Sequence, residues 1–292
     1  MFKAAGGLVV FDMNPGRARG LYTFPLLEPD VTGVPGLYLD RVAGAVVKEA
    51  AKAGKSATLR LDASTGKATP YFLSGFLPGR DYGKPEDEFV LLVTHTDGPN
   101  LSQENGALGI LAIVGYFAQT PQAERRRTIL VMLDPQHYMP GRHRVDWYET
   151  HPDTAARIVA SIGVEQLGQR EYAEDGADFL LTDRPEPTII FAQDNKLLID
   201  SAIEAVKAER LPRVQVRVPA RGQGQWIGLG DVAVKRKIPG FGTSTDMSAY
   251  WSTTPGIESF DRELCRRQIG VLVRLTRQLM QGELAEMAPV AK

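Results

Sequence analysis

The sequence contains few cysteines, histidines and tryptophans: one cysteine, four histidines and three tryptophans among 292 residues. A single cysteine, Cys265, excludes an internal disulfide and a cysteine-rich metal site, and its neighbours Leu264 and Ile269 indicate a position on a helix face. A net charge of −1 provides no basic surface for nucleic acid and no attraction to an anionic membrane. The longest apolar runs, such as residues 107–117, are too short and interrupted to span a bilayer.

The composition is otherwise that of an ordinary globular protein, with 43% hydrophobic and 24% charged residues. The first residues, MFKAAGGLVVFDMNPGR, do not form a convincing signal peptide, because the apolar stretch is brief and leads directly into a polar loop. If Met1 is the true start, we expect a cytoplasmic protein.

The N-terminal region predicts a small β-rich module over residues 1–63. GGLVVFDM (6–13) and VPGLYLDR (34–41) have the composition of short strands, and the apolar spacing from Asp40 to Gly54 predicts a helix. SATLRLDA (56–63) alternates apolar and polar residues and closes the module. The segment 64–69 marks the boundary with a larger domain, residues 64–292.

The larger domain alternates strand and helix patterns. Continuous apolar runs such as FVLLVT and TIIFA are typical of strands covered on both faces, which predicts an α/β three-layer sandwich around a mixed, mainly parallel sheet. The predicted strands are 71–76, 88–94, 127–133, 161–167, 187–192, 213–218 and 232–243, and the predicted helices are 104–118, 152–160, 194–209 and 260–282.

Histidines and carboxylates follow several of these strands. They are His95 and Asp97 after strand 88–94, Glu104 at the next helix start, Asp134, Gln136 and His137 after strand 127–133, and Glu165 in strand 161–167. In α/β folds, ligands bind outside the carboxyl ends of the strands, so we expect one shared site there. Imidazole and carboxylate ligands suit zinc and similar divalent ions. Glu165 lies in an apolar pattern, where a buried charge needs a partner.

The order of these motifs resembles that of the zinc-dependent exopeptidase family, which includes bacterial aminopeptidases, glutamate carboxypeptidase, glutaminyl cyclase and the transferrin receptor. His95-Thr96-Asp97 matches the family's His-x-Asp at a strand end. Glu104-Asn105-Gly106 matches its Asp-Asn-x-x-Gly helix start, with Glu in place of the metal-bridging Asp. In IGVEQLG, residues 162–168, Glu165 stands where the family has another Asp.

Two motifs of the resemblance depart from the family. In ILVMLDPQHYMPG, Gln136-His137 stand where the family has a Glu-Glu pair. KIPGFGTSTDMSAYWSTTPGIESFD resembles the segment with the final histidine ligand, yet it contains no histidine, and Tyr250-Trp251 occupy that place. The N-terminal module is similar to the second half of a protease-associated domain, a frequent companion of this family, so the strands expected before Met1 would be missing.

The resemblance implies a metal site of His95, Glu104 and Glu165, with His137 as a further ligand and Asp97 orienting an imidazole. In the family a second ion is bound as well, but here it would have only Glu104 and His137, because the final histidine is absent. Two ligands hold an ion poorly, so we expect one zinc ion, or another divalent metal. The family's first Glu takes a proton from the attacking water, and the amide of Gln136 cannot replace it. His137 could serve as the base if it is not a ligand, because its ordinary pKa of about 6.5 suits the task.

Other polar motifs are weaker candidates. His143 and His151 lie in a polar segment that predicts a solvated loop, with a helix starting near Thr150 or Asp153. GQGQWIGLGD, residues 222–231, lacks the context of a phosphate loop and predicts a substrate-pocket loop with Trp226 as a wall. The absence of a Gly-x-Ser-x-Gly motif disfavours a serine hydrolase.

Three functions remain open from the sequence. The first is a metal-dependent hydrolase that cleaves an amide or ester bond in a small-molecule or peptide-like substrate. The second is a non-catalytic relative that uses the fold for binding or assembly, as the transferrin receptor does. The third is a single-metal acyl-transfer or cyclising enzyme of the glutaminyl-cyclase type.

Overall fold

The structure, a computed structural model, describes residues 39, 41–60, 62, 64, 66, 69–98, 100–135, 143–176, 178–246 and 256–290. The helices are α1 (Arg41–Lys52), α2 (Leu101–Glu104), α3 (Gly106–Ala118), α4 (His143–Thr150), α5 (Pro152–Ala156), α6 (Lys196–Ala208), α7 (Asp231–Arg236), α8 (Arg262–Gln281) and α9 (Leu284–Met287). The strands are β1 (Leu73–Leu77), β2 (Phe89–His95), β3 (Thr128–Asp134), β4 (Ile158–Gly163), β5 (Arg170–Asp175), β6 (Asp178–Pro185), β7 (Thr188–Ala192), β8 (Val214–Arg217) and β9 (Gly240–Thr245).

Within the described residues, seven strands form one sheet in the order β1-β3-β2-β4-β9-β7-β8. The central strands β3, β2, β4 and β9 are parallel to one another, and β8 is parallel to β7. β1 pairs antiparallel with β3, and β7 pairs antiparallel with β9. The predicted mixed, mainly parallel sheet is therefore confirmed.

Strand β2 shows why the fold has three layers. Its side chains alternate between the two faces of the sheet, and all seven residues are buried. Val90 and Leu92 pack with helices α3, α6 and α8 on one face. Leu91 and Val93 pack with Trp147 of α4 and with residues of α7 on the other face. Helices on both faces bury the continuous apolar run that the sequence contains.

The long helix α8 was predicted over residues 260–282 and is found at Arg262–Gln281. The carboxylate of Asp261 accepts a hydrogen bond from the Leu264 backbone N–H at 2.9 Å, which caps the first turn. The expected core positions Leu264, Leu272, Leu275 and Leu279 are buried, and Ile269 is partly buried against the same core.

Several predicted boundaries were wrong. The strand predicted at 161–167 is β4, which begins three residues earlier and ends at Gly163, so Glu165 follows the strand. The segment 232–243 divides into helix α7 and strand β9, separated by a left-handed residue, Lys237. The predicted helix 152–160 ends at Ala156 because the chain enters β4. Residues 56–60, part of the alternating segment 56–63, form no strand.

The β5–β6 hairpin and helix α4 are among the elements that the sequence did not predict. In the hairpin of β5 and β6 only Tyr172 is buried and the other strand residues are intermediate or exposed, so its sequence lacks the apolar alternation of a half-buried strand. The supposed loop around His143 contains helix α4, which Trp147 anchors by stacking on Phe72 with ring centroids 5.9 Å apart. Burial of that indole against the sheet outweighs the polar character of its neighbours.

The N-terminal prediction falls mostly outside the described residues, which omit 1–38. Helix α1 occupies the span where a helix was expected, residues 40–54. The division into a 1–63 module and a 64–292 domain, and the protease-associated resemblance, stay predictions. In the described part of the chain, no helix has both the length and the apolar character that crossing a membrane requires.

Candidate metal centre

Three adjacent strand ends carry two of the predicted ligands, His95 and Glu165, and the acidic residue Asp134. β2 lies between β3 and β4 and runs parallel to both, so their carboxyl ends meet at one edge of the sheet. His95 ends β2 and pairs in register with Asp134 at the end of β3. Glu165 lies two residues beyond the end of β4. The strand order therefore places an imidazole between two carboxyl groups.

The His95 imidazole is completely buried and faces two carboxylates. Its Nδ1 lies 3.3 Å from Oδ1 of Asp97, and its Nε2 lies 3.8 Å from Oε2 of Glu165. A carboxylate beside Nδ1 favours the tautomer that carries the proton there, which leaves Nε2 as the electron-pair donor. This arrangement gives Asp97 the orienting position that the resemblance implied.

Burial lowers the pKa of His95, but the contact with Asp97 and the charges of Glu165 and Glu104 outweigh it, so the pKa lies above its ordinary value. A metal ion bound at Nε2 would replace this proton, because imidazole ligates metals only in its neutral form. The site therefore already favours a positive charge at the position of the imidazole.

Glu165 is held by the Leu229 backbone and by the Thr243 hydroxyl. Its carboxylate Oε1 accepts a hydrogen bond from the Leu229 backbone N–H at 2.5 Å. Its own N–H donates to Oγ1 of Thr243 at 2.9 Å, and that hydroxyl donates to the Glu165 carbonyl oxygen at 3.1 Å. The carboxyl group is almost fully buried, so these contacts fix its direction toward His95.

Asn105 connects the start of α3 to the loop that carries Glu165. Its side-chain amide donates to the Leu167 carbonyl oxygen, and its Oδ1 accepts from the Leu167 N–H at 2.8 Å. The motif Glu104-Asn105-Gly106 was selected from the sequence for its likeness to the Asp-Asn-x-x-Gly motif, with Glu104 as the candidate metal ligand. The structure shows that the asparagine is a clamp between two parts of the site that are 62 residues apart.

Glu104 is half-buried at the end of α2, just before this clamp. Burial raises the pKa of its carboxyl group, the charge of His95 and the Gly98 N–H lower it in part, and Asp97 raises it. Its Oε1 is buried without a hydrogen-bond partner among the described residues. A buried carboxylate oxygen in that condition is costly unless a cation or a donor reaches it.

These donors fit a zinc ion in chemical type. Zinc bonds of about 2.0–2.2 Å place two ligand atoms of a tetrahedral site about 3.3–3.6 Å apart. The 3.8 Å between His95 Nε2 and Glu165 Oε2 is only slightly wider. Among the described residues, however, no three His, Cys, Asp or Glu side chains lie within reach of one shared ion. His95 and Glu165 face each other. Glu104 interacts with the charge of the same imidazole but does not form a three-ligand group with the pair.

The remaining candidates divide into two groups. Gln136, His137, Tyr250 and Trp251 lie outside the described residues. His151 lies away from the strand ends, with its ring stacked on Trp147 at 4.7 Å between centroids. Trp226 stacks on Phe191 at 5.5 Å, in the loop that donates the Leu229 N–H to Glu165. The contact of this loop with Glu165 was not predicted from the sequence, where the glycine-rich composition of residues 222–231 was the only signal.

No family model matches this sequence, and no curated protein matches it. Solved structures do match. The chain is similar to a peptidase M28 precursor from Shewanella amazonensis, with a TM-score of 0.60 and 14% identity over 89% of this chain and 57% of that one. It is also similar to a zinc aminopeptidase from Bacillus subtilis, with a TM-score of 0.53 and 9% identity over 76% of this chain and 53% of that one.

A third similar structure is the LapA aminopeptidase of Legionella pneumophila, with a TM-score of 0.51 and 12% identity over 73% of this chain and 59% of that one. This chain thus spans between 53% and 59% of the length of these three proteins. The sheet and these likenesses define the fold of this chain as that of the zinc-dependent exopeptidases. The chain is a divergent example of that fold, with 9–14% identity to the three.

Proposed function

We propose that the chain is a metal-dependent hydrolase with an altered, single-metal site that cleaves an amide or ester bond. The observation that carries the proposal is the buried His95 between the carboxylates of Asp97 and Glu165. A completely buried imidazole with two carboxyl groups around it is expensive for a protein to maintain unless the charges are used. The similar structures, described as aminopeptidases and peptidases, support a peptide-like or small-molecule substrate.

In this proposal, His95 Nε2 and the Glu165 carboxylate would hold the metal, with Glu104 as a third ligand and His137 as a fourth. Zinc, when bound, would act as a Lewis acid that polarises the scissile carbonyl and lowers the pKa of a nearby water. Asp97 holds the proton on His95 Nδ1 and so keeps Nε2 turned toward the site. Leu229 holds Glu165 through its backbone N–H.

The proton-transfer groups are the weak part of the proposed site. Gln136 can donate or accept a hydrogen bond to water or substrate, but its amide cannot take up a proton at neutral pH. His137 takes that role if it is not a ligand. We therefore expect substrates with better leaving groups than an unactivated peptide, such as activated esters.

The decisive experiment is metal analysis of protein purified without chelator, followed by assays on aminoacyl amides, peptides and activated esters with zinc, cobalt and manganese. We expect about one metal ion per chain and ester or amide cleavage that a chelator abolishes. Cleavage that a chelator leaves unchanged would refute the metal mechanism. An absence of both metal and activity would refute the hydrolase proposal.

One observation favours a second candidate, a non-catalytic relative that uses the fold for binding or assembly. In the described ranges, Glu104 does not complete a three-ligand group with His95 and Glu165. Such a protein would give the negative result in both arms of the experiment above. The third candidate, an acyl-transfer or cyclising enzyme, would bind one metal and release no hydrolysis product.

A further inference from the structure

The loop at residues 222–231 contains three glycines in the left-handed conformation, and one of them differs from the others. Gly222, Gly224 and Gly228 have φ angles of +78°, +83° and +80°. A Cβ added at Gly222 or Gly224 would meet no atom within 4 Å. A Cβ added at Gly228 would meet the carboxyl group of Glu165. Only at Gly228 does the missing side chain make room for a neighbour.

The clash at Gly228 involves the whole carboxyl group. A Cβ there would lie 2.3 Å from Oε1, 2.7 Å from Cδ and 2.7 Å from Oε2 of Glu165. Real Cβ atoms essentially never approach another heavy atom closer than 3.0 Å. The next residue, Leu229, donates its backbone N–H to Oε1 at 2.5 Å. The absence of a side chain at Gly228 therefore leaves space for the carboxylate, and the N–H of Leu229 donates a hydrogen bond to it.

The length of the glutamate side chain matters to this contact. Its carboxyl group extends from the Leu229 N–H on one side to within 3.8 Å of His95 Nε2 on the other. An aspartate at residue 165 would be shorter by one C–C bond, about 1.5 Å. Its carboxylate would then lie at an ordinary contact distance from Gly228. It could not maintain both the hydrogen bond from the Leu229 N–H and the approach to His95 Nε2.

We propose that Gly228 and the Leu229 N–H are positioning elements for Glu165, and that a glutamate at 165 and a glycine at 228 are required together. The pair sets the carboxylate 3.8 Å from His95 Nε2, close to the separation of two atoms that ligate one metal ion. The functional part of this inference rests on the metal centre proposed above, whereas the steric part does not.

The test uses Gly228→Ala, Glu165→Asp and the double variant, with Gly224→Ala as the matched control. Gly224 has nearly the same φ angle in the same loop but open space around it, so both alanines carry the same backbone strain. Zinc affinity is measured by competition with a chromogenic chelator, and the unfolding temperature is measured on zinc-free protein.

We expect Gly228→Ala to weaken zinc binding by about 10–100-fold, as loss of a residue that orients a ligand typically does, and Gly224→Ala to leave it unchanged. Gly228→Ala should also lower the unfolding temperature more than Gly224→Ala does. In the Glu165→Asp background, adding Gly228→Ala should cost no more than Gly224→Ala costs in the unaltered protein. The double variant keeps the test valid if Gly228→Ala alone does not fold.

Equal effects of the two glycine substitutions, or additive effects of Gly228→Ala and Glu165→Asp, would overturn the proposed pairing. If the unaltered protein binds no zinc, the metal centre is wrong, and the unfolding temperatures still decide whether Gly228 positions Glu165. If zinc binds but Gly228→Ala leaves its affinity unchanged, the metal centre stands and the positioning role is wrong.

Discussion

Gly106 on α3 lies so close to Thr94 on β2 that residue 106 cannot carry a side chain. A Cβ at this position would lie 2.1 Å from Oγ1 of Thr94 and 2.2 Å from the carbonyl oxygen of Val164. The first turn of α3 thus packs against Thr94, the residue before His95, and against Val164, the residue before Glu165. The site depends on this close approach of helix and strands.

Alanine substitutions at two glycines of α3 should have opposite effects. Gly106→Ala should destabilise the protein by roughly 2–4 kcal/mol, because the new methyl meets backbone that cannot move away. Gly115→Ala, in the same helix with nothing within 4 Å, should stabilise it by about 0.5–1 kcal/mol. Urea unfolding of both variants measures the difference. A Gly106→Ala protein as stable as Gly115→Ala would contradict the close packing.

Removing the Asn105 clamp should destabilise the loop that carries Glu165. Asn105→Ala leaves the N–H and the carbonyl of Leu167 without their partner in a buried site, at a cost of roughly 2–4 kcal/mol. Gln119→Ala, at the exposed end of the same helix, should change stability by less than about 0.5 kcal/mol. Hydrogen exchange of the Leu167 amide provides a local readout, and unchanged protection there would show that the clamp is not needed.

Replacement of one buried histidine should abolish metal binding, and replacement of an exposed one should not. His95→Ala removes the imidazole that faces Glu165, so the zinc content should fall from about one ion per chain to nearly none. His151→Ala removes an imidazole that stacks on Trp147 instead, and it should leave the zinc content unchanged. Equal zinc content in both variants would place the metal elsewhere or attribute it to non-specific binding.

Restoring a carboxylate at residue 136 should increase peptide cleavage. A general base typically contributes about 10²–10⁴-fold, so Gln136→Glu should raise turnover of a peptide substrate by about 10²-fold or more, while the unaltered protein cleaves peptides very weakly. Gln119→Glu adds the same charge on the exposed end of α3 and should change nothing. Strong peptide cleavage by the unaltered protein would refute the argument from the missing base.

Stability should depend on pH through Glu171, which joins the β5–β6 hairpin to Arg213, the residue before β8. The hydrogen bond from Arg213, with a further contribution from Arg184, holds the pKa of Glu171 below its ordinary 4.5. Its contribution is therefore complete above pH 4.5 and is lost as the pH falls through the lower, folded-state pKa. Glu171→Gln should cost up to about 1 kcal/mol at pH 7, since a partly exposed ion pair contributes little more.

The measurement for Glu171 is urea unfolding of the unaltered protein and of Glu171→Gln at several pH values. The difference between the two unfolding free energies should shrink as the pH falls below 4.5. A constant difference at all pH values would mean that Glu171 stabilises the protein through packing rather than through its charge.

Much of the sheet could be predicted because its strands carry their own signal. The apolar runs at 89–95 and 188–192 are buried at every position, and burial on both faces requires apolar residues without alternation. Helix α8 was predictable for a similar reason, since its apolar residues recur on one face. The positions of His95 and Asp97 at a strand end followed from the same local pattern.

The contacts that define the site depend on the order of the strands, which no local pattern contains. Glu165 faces His95 because β4 lies beside β2, and the Leu229 N–H that holds it comes from 64 residues further along the chain. Asn105 reaches Leu167 for the same reason. The sequence by itself determined which side chains stand at the strand ends, because apolar runs and helical spacing are properties of neighbouring residues. Only the tertiary structure decided which of them face one another, because those distances arise from pairing between segments far apart in the chain.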